Sequence, residues 1–151
     1  MLPKNAWPAI LRETAVEVLS TMAGVPVTAP ENDNVPIVSQ ITGMVGIAGP
    51  LSATFSLRCS MGAATFIASK MLDVSREEAA EQKCDAIGEI CNMVAGYFKA
   101  KIGLGDACQL SLPTVLAGTN YQVRSRSDDA LIELPLLHER EPIWISLHIR
   151  P

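Results

Sequence analysis

Basic residues are scarce in this sequence, and their scarcity excludes one large class of functions. The 151 residues contain 12 Lys and Arg against 16 Asp and Glu, which gives a net charge of −4 and a pI near 5.1. Arg124 and Arg126 lie close together, but Asp128 and Asp129 follow them at once. A nucleic-acid-binding domain shows a basic footprint, so we predict that this chain binds no nucleic acid.

Paired metal ligands are also missing. Zinc sites use Cys or His in short-spaced pairs, and the cysteines and histidines here form none. They are Cys59, Cys84, Cys91, Cys108, His138 and His148. We therefore predict that the chain binds no metal or other cofactor, and that its thiols are reduced core residues. The first residues lack the apolar segment of a secretory signal, so the expected location is the cytoplasm.

The longest uncharged stretch does not have the pattern of a membrane span. Residues 34–57 contain no charged side chain, but apolar and polar residues alternate along 51–58. Period two indicates a half-buried strand, whereas a spanning helix has no reason to alternate. Because Gly49 and Pro50 interrupt the stretch, we predict a β-hairpin there and no membrane span.

Several well-known catalytic motifs are absent as well. The sequence contains no Walker loop, no HExxH and no nucleophile elbow. A Ser/His/Asp triad leaves no local signature, and nothing local indicates one. The glycines at 43, 46 and 49 imitate a phosphate-binding loop, but no helix follows them. Close packing within strands is the better explanation of these glycines.

The remaining composition is that of a globular chain. Hydrophobic residues make up 48% and charged residues 19%, and the length suits a single domain spanning 1–151. We predict an α/β fold of the α+β type, in which three helices pack on an antiparallel sheet of about five or six strands. The predicted helices are 7–22, 61–72 and 75–102, and the predicted strands are 36–48, 51–59, 107–112, 120–126, 130–137 and 142–149, with a turn at 125–129.

The third predicted helix carries a line of polar residues on one side and apolar residues on the opposite side. The apolar side includes Cys91, Val94 and Phe98, and we expect it to face the sheet. Glu89 and Asn92 are three positions apart, so their side chains share one face. An exposed polar stripe is ordinary on an amphipathic helix, and a solvated surface is one explanation. A carboxylate held beside a carboxamide can also act on a molecule that docks there. The full line is Asp85, Glu89, Asn92, Gly96 and Lys99.

Two glycines within this helix indicate a close contact. Gly88 and Gly96 each cost about 1 kcal/mol relative to alanine in a helix interior. The close contact could be the backbone of a docked partner, or packing against the first or second helix. Lys99 could steer an acidic partner, or it could be a solvated lysine at the helix end.

The segment 85–96, DAIGEICNMVAG, resembles the signature of the CheX/CheC/FliY chemotaxis phosphatases. The resemblance extends to the first helix, the hairpin through 42–46 and the run 110–118, and it covers nearly the whole chain. Members of the CheC type carry two Glu-x-x-Asn motifs. Here Glu13 pairs with Val16 and Glu17 with Ser20, so the first helix has no second motif. A single motif resembles the CheX branch, in which a homodimer is expected.

The resemblance implies hydrolysis of the aspartyl phosphate on a CheY-like response regulator. Phosphoryl transfer depends mainly on positioning and charge stabilisation, and a carboxamide can hold the attacking water. Asn92 is therefore expected to position the water, and Glu89 to clamp the partner, with Mg²⁺ supplied on the phosphorylated partner. The residues expected to contact the receiver are Asp85, Gly88, Gly96 and Lys99. The alternative is a non-catalytic CheX-like module that binds a receiver domain or another signalling partner.

Overall fold

An antiparallel sheet with three helices forms the part of the chain that the computed structural model describes, residues 1–32, 34–118, 121 and 129–151. This architecture confirms the predicted fold class. The helices are α1 (Trp7–Glu17, continued by a π-helical segment Val18–Met22), α2 (Met61–Leu72) and α3 (Arg76–Lys101). The strands are β1 (Ile41–Ala48), β2 (Ala53–Cys59), β3 (Gln109–Leu110), β4 (Thr114–Ala117), β5 (Ala130–His138) and β6 (Glu141–Ile149).

The sheet order is β3-β1-β2-β6-β5, and β4 also pairs with β1, beyond β3 along the same edge. Strand pairing aligns Val45 with Phe55, and Phe55 with Leu147, so the central strands present their apolar residues to one face. In the last strand, Ile145 and Leu147 are fully buried on that face. The helices cover this face, and the core lies between them and the sheet.

Several strand boundaries differ from those predicted. The strand predicted from residue 36 begins at Ile41, and at the predicted start the Pro36 carbonyl accepts a hydrogen bond from Trp144 Nε1 at 2.9 Å. The strand predicted at 107–112 is reduced to two residues, and β4 was not predicted. Pro113, which has no amide proton, separates β3 from β4. The prediction for 120–126 and for the turn at 125–129 falls outside the described residues, apart from Tyr121 and Asp129.

Helix α3 begins and ends where the sequence predicts. Ser75 is the N-cap, and its hydroxyl accepts from the Glu78 amide at 3.3 Å. Acidic residues occupy the first turn and lysines the last, which favours the helix dipole at both ends. The predicted apolar side is buried against the sheet, where Cys91, Val94 and Phe98 are all 0% exposed.

The contact between α3 and β1 depends on Gly43. A Cβ atom at this position would lie 2.6 Å from Cys91 Sγ and 2.8 Å from Ile87 Cγ2. Because both neighbours are buried, neither could move away without disturbing the core. The glycine at 43 thus allows the helix to lie directly on the strand and fixes the position of α3. The close neighbour of this glycine is the helix, whereas the sequence predicted packing within the strands.

The opposite face of the sheet carries polar residues that are bonded to one another. Arg58 Nη2 lies 2.6 Å from Glu133 Oε2, and the Ser146 hydroxyl donates to the same oxygen at 3.4 Å. Thr42 Oγ1 lies 2.8 Å from the Tyr121 hydroxyl. These five polar side chains therefore find partners within the chain.

Candidate active site on helix α3

The line of polar residues predicted from the sequence lies on the outer surface of α3. Asp85, Glu89 and Asn92 are exposed, and Gly96 and Lys99 are half-buried. The exposed side chains recur with the helical period on one side of α3, and the buried side chains recur with the same period on the other side. The prediction that Glu89 and Asn92 share an exposed face is confirmed by this arrangement.

Glu89 and Asn92 line an open cavity of about 340 Å³. One wall is the polar face of α3. The other wall comes from the segment at the start of β4, which lies next to the helix through Pro113 and Val115. The full set of lining residues is Cys84, Asp85, Gly88, Glu89, Asn92, Met93, Pro113 and Val115.

Gly88 determines how closely these two walls approach. A Cβ atom at this position would lie 3.3 Å from both Cβ and Cγ of Pro113, and 3.5 Å from Val115 Cγ2. The close contact predicted for Gly88 is therefore made by the chain's own β4 segment. The alternative that the first or second helix fills this space is wrong, because neither supplies the nearest atoms.

Gly96 and Lys99 lie outside the cavity, although they belong to the same line on the helix. A Cβ atom at Gly96 would be 3.7 Å from Leu110 Cδ1, which is ordinary van der Waals contact. The Lys99 ammonium donates to the Gly105 carbonyl and so satisfies a backbone group beyond the helix C-terminus. The structure thus brings Asp85, Gly88, Glu89 and Asn92 together and leaves the other two predicted residues apart.

The side chains of Glu89 and Asn92 are not used by the fold. Among the described residues, neither forms a side-chain hydrogen bond or an ion pair. Asp85 adds a second carboxylate to the same cavity. Two neighbouring carboxylates repel a bare anion, so a phosphoryl group would be accepted there only if cations already compensated its charge.

Two cysteines buried in the core, Cys91 on α3 and Cys59 on β2, are unsuited to nucleophilic catalysis. Burial raises the pKa of the Cys91 thiol well above its ordinary value, and the nearby Cys59 adds to that effect. Burial, with a smaller effect from Glu141, raises the pKa of Cys59 to about 12. The nucleophilic form of cysteine is the thiolate, so both side chains act as core residues at neutral pH.

No metal cage accompanies the cavity. In the part of the chain that the structure describes, no group of three or more His, Cys, Asp and Glu side chains is placed to hold a metal ion.

Four lining residues escaped the sequence interpretation: Cys84, Met93, Pro113 and Val115. Cys84 and Met93 lie beside the polar line on α3, and helical geometry alone could have placed them there. Pro113 and Val115 come from a segment some 25 residues later in the chain. A proline within an apolar run indicates an edge strand, but no feature of the sequence indicates which helix that strand contacts.

The helices give no sign of a membrane span. Within the described ranges, none is both long enough and apolar enough to cross a bilayer.

Comparison with known sequences places the chain beside a group of signalling proteins. The family model described as "Chemotaxis phosphatase CheX" matches residues 41–137, a range that includes both Glu89 and Asn92. A search of curated proteins found no match.

Comparison with solved structures gives long and close matches. The chemotaxis protein CheX from Vibrio vulnificus has a TM-score of 0.80 at 22% identity, over 95% of this chain and 99% of that one. A CheC-like superfamily protein from Shewanella sp. PV-4 has a TM-score of 0.81 at 22% identity, over 99% and 100%. The CheX–CheY–BeF3–Mg²⁺ complex from Borrelia burgdorferi matches at 0.78 and 20% identity, over 96% and 98%. At such identities the likeness shows the fold alone.

Proposed function

The chain belongs to the chemotaxis phosphatase CheX family, and we propose that it hydrolyses the aspartyl phosphate of a CheY-like response regulator. One observation carries the proposal: an exposed carboxylate and carboxamide line an open cavity and have no partner among the described residues. The fold does not need these two groups, so they are available to a docked molecule. The solved complex of a CheX with CheY from Borrelia burgdorferi supports a receiver domain as that molecule.

Asn92 is proposed to position the attacking water. An aspartyl phosphate needs a water placed in line with the leaving carboxylate, and little covalent assistance. The Asn92 carboxamide can accept a hydrogen bond from that water through its oxygen and donate through its nitrogen to the phosphoryl group or the partner. A rigid helix holds the side chain, so part of the entropic cost of ordering the water is met before docking.

Glu89 is proposed to clamp the receiver. As an anion three residues from Asn92, it can pair with a lysine at the active site of the receiver, and it fixes the distance between water and phosphorus. Asp85 extends the negative surface by one further turn. General base catalysis by Glu89 is the weaker role, because a metaphosphate-like transition state requires little proton removal.

Mg²⁺ is proposed to belong to the partner. The solved Borrelia burgdorferi complex contains Mg²⁺ and BeF3, and it includes the receiver. In such an arrangement the cation neutralises the phosphoryl group, so the two carboxylates of the cavity can approach it. This division explains how an acidic site can act on an anionic substrate.

We further propose that the chain acts in the cytoplasm as a single domain spanning 1–151 and forms a two-fold homodimer. The sheet has edge strands at β4 and β5 within the described residues, and an exposed edge can pair with a second copy. Sedimentation at high protein concentration tests the dimer, and a monomer throughout would reject it.

The experiment for the main proposal is a phosphate-release assay against a panel of phosphorylated receiver domains from the same cell. The proposal predicts faster loss of phosphate from at least one receiver. If the chain binds phosphorylated receivers without changing their rate of dephosphorylation, it is a binding module. If it neither binds nor dephosphorylates receivers in either phosphorylation state, the phosphatase proposal and the binding-module alternative are both wrong.

A further inference from the structure

Leu112 is unusually exposed for an apolar side chain. It is 88% exposed, whereas the other exposed leucines, such as Leu116 at 44% and Leu131 at 50%, are about half covered. A single exposed leucine is not remarkable in itself. Leu112, however, belongs to a segment that hydrogen bonds hold in place beside the candidate site.

The segment that carries Leu112 is held by hydrogen bonds at Ser111. The Ser111 amide donates to the Gly46 carbonyl at 2.9 Å, and the Ser111 hydroxyl accepts from the Gly46 amide at 2.8 Å. The same hydroxyl donates to the Leu112 carbonyl at 2.9 Å. On the other side of Leu112, Pro113 packs against Gly88. Both neighbours are fixed, so the leucine is presented from an ordered backbone.

Leu112 lies beside the candidate catalytic pair. Leu110 contacts the helix at Gly96, and Pro113 contacts it at Gly88, so the chain runs along α3 in the direction opposite to the helix. Leu112 falls between these two contacts, alongside the stretch of helix from Gly88 to Gly96 that carries Glu89 and Asn92. Its neighbour Pro113 lines the same cavity as Glu89 and Asn92.

We propose that Leu112 is the apolar anchor of the docking surface, and that it packs against an apolar patch next to the phosphorylation site of a receiver domain. This inference rests on the proposed function. The charge of the cavity selects the occupant: Asp85 and Glu89 require a partner that brings its own cations, as a receiver with Mg²⁺ and a lysine does. An apolar contact beside a charged cluster adds affinity and excludes water from the ion pairs.

The test measures Leu112→Ala beside a matched control. Leu131→Ala removes the same atoms from another exposed leucine, which lies on β5 at the opposite end of the sheet from β4. Binding is measured to a receiver loaded with Mg²⁺ and beryllofluoride, and turnover is measured with phosphorylated receiver. Because Leu112 is almost fully exposed, its truncation should leave the unfolding midpoint unchanged.

The expected result is that Leu112→Ala raises Kd and KM about tenfold and leaves kcat within about twofold of wild type. The control should change none of these values. Equal affinity in wild type and Leu112→Ala, or an equal loss in both variants, would overturn the inference. So would altered self-association of Leu112→Ala, because the leucine would then contact a second copy of the chain.

Failure of the proposed function would give a different result. If wild type binds the loaded receiver without hydrolysis, the phosphatase proposal falls, but the affinity of Leu112→Ala still tests the anchor. If wild type binds no receiver, both proposals fall together.

Discussion

Arg58 and Glu133 lie on one side of the sheet, and Glu89 and Asn92 lie on the helix that covers the other side. The two pairs differ in their surroundings. Arg58 Nη2 approaches Glu133 Oε2 to 2.6 Å, and the two side chains are only 13% and 30% exposed. Glu89 and Asn92 face solvent and have no side-chain partner among the described residues.

The difference separates polar groups that serve the fold from those that serve a partner. A half-buried charge must be paired, because its desolvation otherwise destabilises the folded state. An exposed group has no such requirement, and the fold is indifferent to it. Replacing Arg58 should therefore affect stability and spare activity, whereas replacing Asn92 should do the opposite.

The largest effect is expected for Asn92→Ala. Loss of the water-positioning amide should lower the turnover of phosphorylated receiver by about 100-fold or more. Stability should change by less than about 0.5 kcal/mol, because the side chain is exposed. A phosphate-release assay measures the turnover, and urea unfolding measures the stability. Gln82→Ala is the control, since it removes an exposed carboxamide from the same helix at about 15 Å from Asn92 along the axis.

Arg58→Ala should have the second largest effect, and on stability. The Glu133 carboxylate would be left half-buried without its cation, which should cost about 1–3 kcal/mol in the free energy of unfolding. Turnover at saturating receiver should stay at the wild-type value. The double variant Arg58→Met/Glu133→Leu sharpens the result, because removing both charges should cost less than removing one. If Arg58→Ala had the stability of wild type, the conclusion that the Arg58–Glu133 pair serves the fold would be contradicted.

Glu89→Ala should weaken binding by about tenfold, through loss of a charge pair that docking desolvates. Affinity for a receiver loaded with Mg²⁺ and beryllofluoride is the measurement, and stability should not change. Glu81→Ala likewise removes one negative charge from an exposed position of the same helix, but outside the cavity. Equal losses in the two variants would mean that long-range charge, and not a clamp at Glu89, determines affinity.

The smallest effect is expected at His148, which lies on the same face of the sheet as Arg58 and Glu133. Burial lowers the pKa of its imidazole below 6.5; of the smaller effects, Glu133 raises the pKa and Arg58 lowers it. Its Nδ1 is buried without a partner among the described residues. The unfolded chain therefore binds a proton more readily, so stability is lost as pH falls through the ordinary pKa. His148→Gln should reduce the stability lost between about pH 7.5 and about pH 5. An unchanged pH profile of urea unfolding would contradict this.

Local patterns predicted the helices well and the edge of the sheet poorly. The polar and apolar sides of the predicted helix 75–102 were sufficient to predict α3 and the shared face of Glu89 and Asn92. The second wall of the cavity was not predictable, since β4 pairs with β1 some 70 residues earlier in the chain. The cause of the missed strand is the break at Pro113, which divides one apolar run into two short ladders.

The site residues show the same division between local and long-range information. The spacing of Glu89 and Asn92 is a local property of one helix, so the sequence was sufficient to place them together. The contact of Gly88 could not be predicted in that way, because Pro113 lies 25 residues later in the chain. A glycine in a helix indicates a close neighbour without identifying it.

The central claim is that Asn92 acts on the attacking water and contributes little to docking. Its most direct test is the affinity of Asn92→Ala for a receiver loaded with Mg²⁺ and beryllofluoride, measured beside the turnover of phosphorylated receiver. The account predicts a Kd within about twofold of wild type while turnover falls by about 100-fold, because a contact made only in the transition state is lost. A Kd that rises in parallel with the loss of turnover would contradict it, and Asn92 would then be a docking residue.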